Sequence, residues 1–221
     1  METMRERRFD YSGTYWKALE SQDPIKFIDD KWGSPFPYYN EFILPLIKNK
    51  TRLNIVEIGS GFGRYSGLVI PYCSTFYAID SSDICCAFLG THFDTNIVKC
   101  LSMNELDTIP NNIDLIFSFS TMLHFNLYEI WWYINKLANK IKDDEHFVIH
   151  YSSFESSDGV DFFINGCCKN CDNFGDTGLY RFHHSSQIKL IAEKYKLYII
   201  DDKEPDNVIV PGHRVITLRK E

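Results

Sequence analysis

Glu57-Ile-Gly-Ser-Gly-Phe-Gly-Arg-Tyr65 follows the apolar run Leu53 to Ile58 and precedes a helical pattern, so it reads as a strand, a glycine-rich turn and the opening of a helix. Gly59, Gly61 and Gly63 permit a tight turn that a Cβ would obstruct, and they let a ligand lie against the main chain. The spacing selects the ligand. A dinucleotide-binding turn needs a third glycine three residues beyond the second, to pack helix on strand beside a pyrophosphate, and Arg64 stands there. The next extended run, Thr75-Phe-Tyr-Ala-Ile79, ends on Asp80, about 20 residues past the first glycine, where a carboxylate can accept both hydroxyl hydrogens of a ribose. A competing reading makes Asp80 the N-cap of the helix that Ser82 and Asp83 announce.

From Leu53 onward strand and helix patterns alternate, which predicts a parallel sheet with helices on both faces. Strands are expected at 53–58, 75–80, 96–101, 113–118, 145–151, 196–202 and 213–219. Leu127, Ile130, Trp131, Ile134, Leu137, Ala138 and Ile141 recur at helical spacing, with Asn126 and Glu129 as the capping pair. A second helix follows His184, with Ile188, Ile191, Ala192 and Tyr195 on one face. Residues 1–50 form an aromatic-rich helical lead-in and 51–221 the main domain. Trp32 to Tyr39, with Pro35 and Pro37, reads as a loop, and the segment Tyr39 to Ile47 as a helix bent or restarted at Pro45. The many rings of the lead-in suit either sheet covering or a lid over the active site. The long stretch from Asp158 to Gly178 reads as a second loop able to touch a substrate.

A chain of 221 residues, 44% hydrophobic, sustains one sizeable core. With Lys+Arg 23 against Asp+Glu 30, its formal charge of −7 works against tracking a nucleic-acid backbone. No apolar run approaches the roughly 20 residues of a membrane helix and no signal-peptide core follows the charged start, so a cytoplasmic protein is expected. The 7 cysteines, an odd number, fit that compartment, since such a fold needs no disulfide framework. Cys167, Cys168 and Cys171, with His183 or His184, offer only one ligand hook and read as loop thiols rather than zinc ligands; no metal is expected.

The pattern acid-x-Gly-x-Gly-x-Gly resembles motif I of class I S-adenosylmethionine-dependent methyltransferases, and the order of elements is similar to that family over roughly residues 50 to 221. The resemblance implies a single doubly wound, mostly parallel, Rossmann-like sheet of seven strands whose last strand runs antiparallel. It implies S-adenosylmethionine as cofactor, held by Glu57, Gly59, Ser60, Gly61, Gly63 and Asp80, with Met103 and Asn104 beside the adenine and Ser118 at the end of the fourth strand. Ile113 to Phe125 and Phe147 to Ser153 look like segments of bacterial methyltransferases that modify sugars and surface polysaccharides, which implies a small acceptor hydroxyl. Ligands of such sheets sit beyond the carboxyl ends of the strands, and neutral imidazole suits removal of a hydroxyl proton near pH 7. His124 and His150 are therefore the candidate bases, and Tyr15, Trp32, Tyr151 and His183 candidate acceptor contacts. Amine methylation, a nicotinamide-dependent oxidoreductase and a non-catalytic binding protein are the alternatives. Arg64 and the want of a Tyr-x-x-x-Lys dyad on a mid-chain helix speak against the oxidoreductase.

Overall fold

The computed structural model describes residues 17–169, 180–206 and 212–221; Tyr15, Cys171 and the side chains of Trp32, Cys167 and Cys168 lie outside the described part. Its sheet contains β1 (Leu53–Ile58), β2 (Cys73–Ile79), β3 (Val98–Leu101), β4 (Ile113–Ser118), β5 (Ile141–Ser153), β6 (Phe182–His183), β7 (Leu197–Lys203) and β8 (His213–Lys220). The order is β3-β2-β1-β4-β5-β8-β7, with β6 paired to β5 beside the main path. β8 runs antiparallel to both β5 and β7, whereas β1 to β5 pair in parallel. The seven strands read from sequence are present. The two-residue β6 was not expected, since two residues carry no period. β5 also begins earlier than expected, because the helix before it ends at Leu137 and Ala138–Lys140 tightens into a 3-10 turn.

Chain order reverses between β1 and β4, which lie side by side, and this switch point opens a crevice beyond their carboxyl ends. One face of the sheet buries Val56, Ile58, Ile116, Phe147 and Ile149 under Ile130, Ile134 and Leu137 of helix Leu127–Leu137 and Ile188 of helix Ser185–Glu193. Asn126 opens the first of these helices as its side chain accepts from Glu129 N, the capping box expected there. The other face buries Ile55, Phe76, Leu115, Phe117 and Val148 under Tyr38, Tyr39, Phe42 and Ile43. Fully burying an aliphatic or aromatic side chain of this size contributes about 1.5–3 kcal/mol, so both layers are strongly held.

The rings of Tyr38, Tyr39 and Phe42 are thus sheet covering. They lie on helical turns, Phe36–Tyr38, a π turn Tyr39–Ile43, and Leu44–Ile47, which corrects the loop expected up to Tyr39. Prolines are tolerated in the first turn of a helix, where their missing N–H has no partner to lose. Pro45 cannot donate to the carbonyl four residues back, and the wider π turn lies where that bond is missing. The stretch from 158 is likewise helical at first, Gly159–Lys169. Among the described residues no helix is long and apolar enough to cross a membrane.

Two features tie the periphery to the sheet. Cys86, on helix Asp83–His92, is disulfide-bonded to Cys100 of β3 with their Cα atoms 5.6 Å apart, whereas Cys73 and Cys85 are free. The odd count and the fold class gave no reason to expect a disulfide framework, and neither could show this single bridge between two elements brought together by folding. Helix Pro24–Trp32, capped by Asp23 on Lys26 N, sets Ile28 against Phe62 of the glycine turn. Arg64 Nε donates to Asp29 Oδ1 at 2.6 Å and its Nη2 donates to the Gly33 carbonyl, fastening that helix to the turn. Arg64→Ala should therefore loosen residues 17–33 by about 1.5–3 kcal/mol, the range for hydrogen bonds to a charged group. Hydrogen exchange should quicken there by roughly tenfold or more while the protection of β1 is kept.

Candidate active site

β1 ends in a turn with three left-handed residues, Gly59 (φ 76), Gly61 (φ 53) and Gly63 (φ 84). At Gly59 an added Cβ would run into Thr121, whose Oγ1 donates to the Gly59 carbonyl at 3.2 Å. At Gly63 it would meet Phe93 and Leu89. Gly59 N donates to Ile79 O at 2.7 Å, so the turn is stitched to the end of β2. Asp80 follows. Its Oδ2 accepts from Gly61 N and its Oδ1 from Ser82 N, both at 2.8 Å. The N-cap of the next helix is Ser82, accepting from Cys85 N, so the capping role weighed for Asp80 belongs to a residue two positions on.

Glu57, Ser60 and Asp80 converge on this turn. Glu57 is buried, accepts from Ser66 Oγ at 2.5 Å, and has its carboxyl pushed up to about 8, chiefly by burial. Ser60 Oγ is buried and without a hydrogen-bond partner among the described residues. Ser118 is buried at the end of β4 and donates to the Ile58 carbonyl at 3.0 Å, sealing the β1–β4 seam. Met103 and Asn104 open the 3-10 stretch Met103–Thr108 directly after β3, behind a capping box of Ser102 and Glu105; Asn104 is exposed.

Beyond β4 the backbone turns through Ser120, a non-glycine residue at φ 56 and hence strained. That turn aims Ser120 N at His150 Nδ1, 3.1 Å away, and His150 Nε2 lies 3.2 Å from His213 Nδ1. The proton positions follow. A backbone N–H only donates, so His150 Nδ1 is bare. Burial, with His213 and His124 nearby, holds the His150 pKa well below its ordinary value, so the ring is neutral and carries its proton on Nε2. His213 Nδ1 accepts that proton's hydrogen bond. Burial and His124 hold His213 down to about 4, so it too is neutral, with its proton on Nε2. His213 is 3% exposed and its Nε2 has no hydrogen-bond partner among the described residues. A buried donor in that condition costs about 1–3 kcal/mol.

Rings enclose these histidines. Tyr38 lies 4.9 Å from His150, and Tyr180 packs 5.1 Å from His213 while stacking on His124 at 5.5 Å. Phe162 and Phe182 complete the wall beside Tyr180 and His213. The structure thus brings His124 and His150 into one cluster and adds His213.

Two other sequence candidates lie elsewhere. Tyr151 is fully buried among the residues of the opposite sheet face, its hydroxyl donating to Asp202 Oδ1 at 3.0 Å. His183 is buried in β6 and its Nε2 donates to the Phe125 carbonyl at 2.8 Å, a clamp between chain segments. Alternation along a strand already separates residue 151 from 150. Sequence reasoning missed His213, although the first residue of an antiparallel last strand must lie at the carboxyl edge of its parallel neighbours.

No protein-family profile and no curated protein matches the sequence. Solved structures do. The fold is that of the class I methyltransferases. Magnesium protoporphyrin IX methyltransferase from Synechocystis PCC 6803, with bound SAH, superposes with a TM-score of 0.68 over 98% of both chains at 11% identity. A TehB-like SAM-dependent methyltransferase from Corynebacterium glutamicum gives 0.59 over 96% of this chain and 97% of its own, at 13% identity. Mitomycin 7-O-methyltransferase gives 0.60 at 12% identity, over 94% of this chain and 60% of its own.

Glu57 generates a prediction. Its pKa is raised from 4.5 to about 8, so the folded state holds a proton that the unfolded chain releases. The resulting stability is fully present below the unfolded value of 4.5 and is lost as pH rises through 8. Thermal melts of the ligand-free protein should decline between these limits, and Glu57→Gln should remove that decline.

Proposed function

We propose that the chain is an S-adenosylmethionine-dependent methyltransferase acting on a hydroxyl of a small polar acceptor. The carrying observation is the turn after β1, where three left-handed glycines, the buried Ser60 hydroxyl, unpartnered among the described residues, and the Asp80 carboxylate meet at the switch point of the sheet. These residues fit an adenosyl ligand: a carboxylate offers about four lone-pair directions, so Asp80 can brace the turn and accept from a ribose together. Ser60 Oγ would gain a partner, Met103 and Asn104 would lie toward the adenine, and Glu57 would stand behind the methionine end. Bound there, the cofactor supplies an electrophilic methyl group on a sulfonium.

Transfer of that group to an oxygen demands alignment first and removal of a proton second. His124, on the turn Met122–His124 directly after β4, is our base, its ring held by stacking on Tyr180. His150, with both nitrogens engaged, acts by position rather than as the base. In its narrowest form the acceptor is a sugar or polysaccharide precursor. The two sugar-type segments noted above support this, as does the ring-lined wall, which suits the C–H face of a sugar. Helix Pro24–Trp32, pinned by Arg64, would form part of the cover over the cofactor.

Asp80→Ala should weaken S-adenosylmethionine binding in calorimetry by about 1–3 kcal/mol. Unchanged affinity with a lowered melting temperature would mean that Asp80 only braces the turn. His124→Asn should leave cofactor affinity in place and reduce turnover on a hydroxyl acceptor by about 10²–10⁴. Normal turnover in that variant would exclude the base role and favour an amine acceptor.

A further inference from the structure

The chain of hydrogen bonds running from Ser120 through His150 ends on a donor that nothing in the described protein uses. Ser120 N–H fixes the tautomer of His150, His150 Nε2–H fixes that of His213, and His213 Nε2–H is left buried and unanswered. Such an arrangement spends a strained residue, Ser120 at φ 56, on orienting one proton. Its position is as informative as its direction. His213 pairs in register with Ser152 near the end of β5, at the carboxyl edge of the parallel strands where ligands of this sheet type sit.

We infer that His213 is the residue that holds the acceptor, its Nε2–H donating to an uncharged oxygen carried on a ring that lies against Tyr180 and Phe162. This rests on the methyltransferase reading and names the acceptor's class within it. The oxygen is uncharged because the rings packed on His213 are His150, held neutral by burial, and the aromatic faces of Tyr180 and Phe162, while His124, the other imidazole that acts on it, must be neutral to serve as base, so a carboxylate buried there would lack a counter-charge. Arg214, the next residue, turns away and donates to Asp202 Oδ1 at 3.1 Å. The ring follows from the walls: flat faces reward either an aromatic acceptor or the C–H face of a sugar. Division of labour between the histidines also follows. His213 cannot take a proton at Nε2, which already bears one, so it positions the hydroxyl, and His124, sharing Tyr180 with it, receives the proton.

Nitrogen-15-edited NMR of the imidazoles in the SAH complex tests this, with phenol and methyl glucoside as neutral ring-hydroxyl probes and benzoate as the charged control. His213 should carry its proton on Nε2, and that N–H signal should shift with phenol or with methyl glucoside and stay in place with benzoate. Which neutral probe moves it separates an aromatic acceptor from a sugar. A proton on His213 Nδ1, an Nε2–H that neither neutral probe moves, or a stronger response to benzoate overturns the proposal. Calorimetry with SAH distinguishes the two levels: failure to bind SAH removes the methyltransferase reading, whereas intact SAH binding with an unresponsive His213 removes only this inference. His213→Phe should abolish the probe's effect on neighbouring ring signals and weaken its binding about tenfold or more, with SAH affinity kept within about twofold. His213→Gln retains a side-chain N–H and should recover part of the binding; recovery equal to that of Phe would also count against a hydrogen-bonding role.

Discussion

The turn after β1 must reverse the chain within five residues, and three of those five sit in the left-handed region that side chains avoid. Much of what lies above the sheet is arranged around that constraint. Thr121, from the turn after β4, occupies the volume that a side chain on Gly59 would take and bonds to its carbonyl. Asp80 holds the Gly61 N–H from the end of β2. Leu89 and Phe93 close against Gly63 from the helix that follows. The glycines therefore do more than clear space for a ligand. They let three separate segments meet at one point, so that the ends of β1, β2 and β4 form one rigid floor.

On that floor the electrostatics are those of a dry site. Burial, helped by Asp80 beside Glu57 and by His124 beside the other two histidines, raises Glu57 to about 8 and holds His150 and His213 down, so three titratable groups are neutral where water would charge at least the carboxyl. Neutral imidazoles have directional tautomers, whereas imidazolium donates from both nitrogens. Desolvation is thus what gives the His150–His213 pair its sense of direction. A protonated pair 3.2 Å apart would repel, and the hydrogen bond between the two rings would be lost.

The floor was legible in the sequence because its signals are local: an apolar run, glycines at fixed spacing, an acid at the end of the next run. So was the helix Leu127–Leu137, whose period and capping pair lie within one window. The histidine cluster was only half legible. His124 and His150 follow or end strands that the pattern shows, yet what they do depends on Ser120 N and His213, which come from other segments. Tyr151, named as an acceptor contact near the end of β5, shows the opposite case: the period of two sends its ring to the face away from His150, toward Asp202. The disulfide of Cys86 with Cys100 and the clamp of His183 on Phe125 are likewise tertiary facts with no local signature.

Arg64 shows how one position serves both fold and site. A glycine there would let the helix close tightly on the strand, as a pyrophosphate-binding turn requires. Arginine prevents that approach and instead carries a guanidinium outward to Asp29 and the Gly33 carbonyl. An aliphatic side chain would block the close packing equally well but would leave helix Pro24–Trp32 held only by the contact of Ile28 and its neighbours with Phe62. A lysine would supply charge without the fork that engages a carboxylate and a carbonyl together. The residue that departs from the dinucleotide pattern is thus also the one that draws the amino-terminal segment over the glycine turn. The spacing of the turn and the placing of the amino-terminal helix against it are in this way coupled through a single side chain.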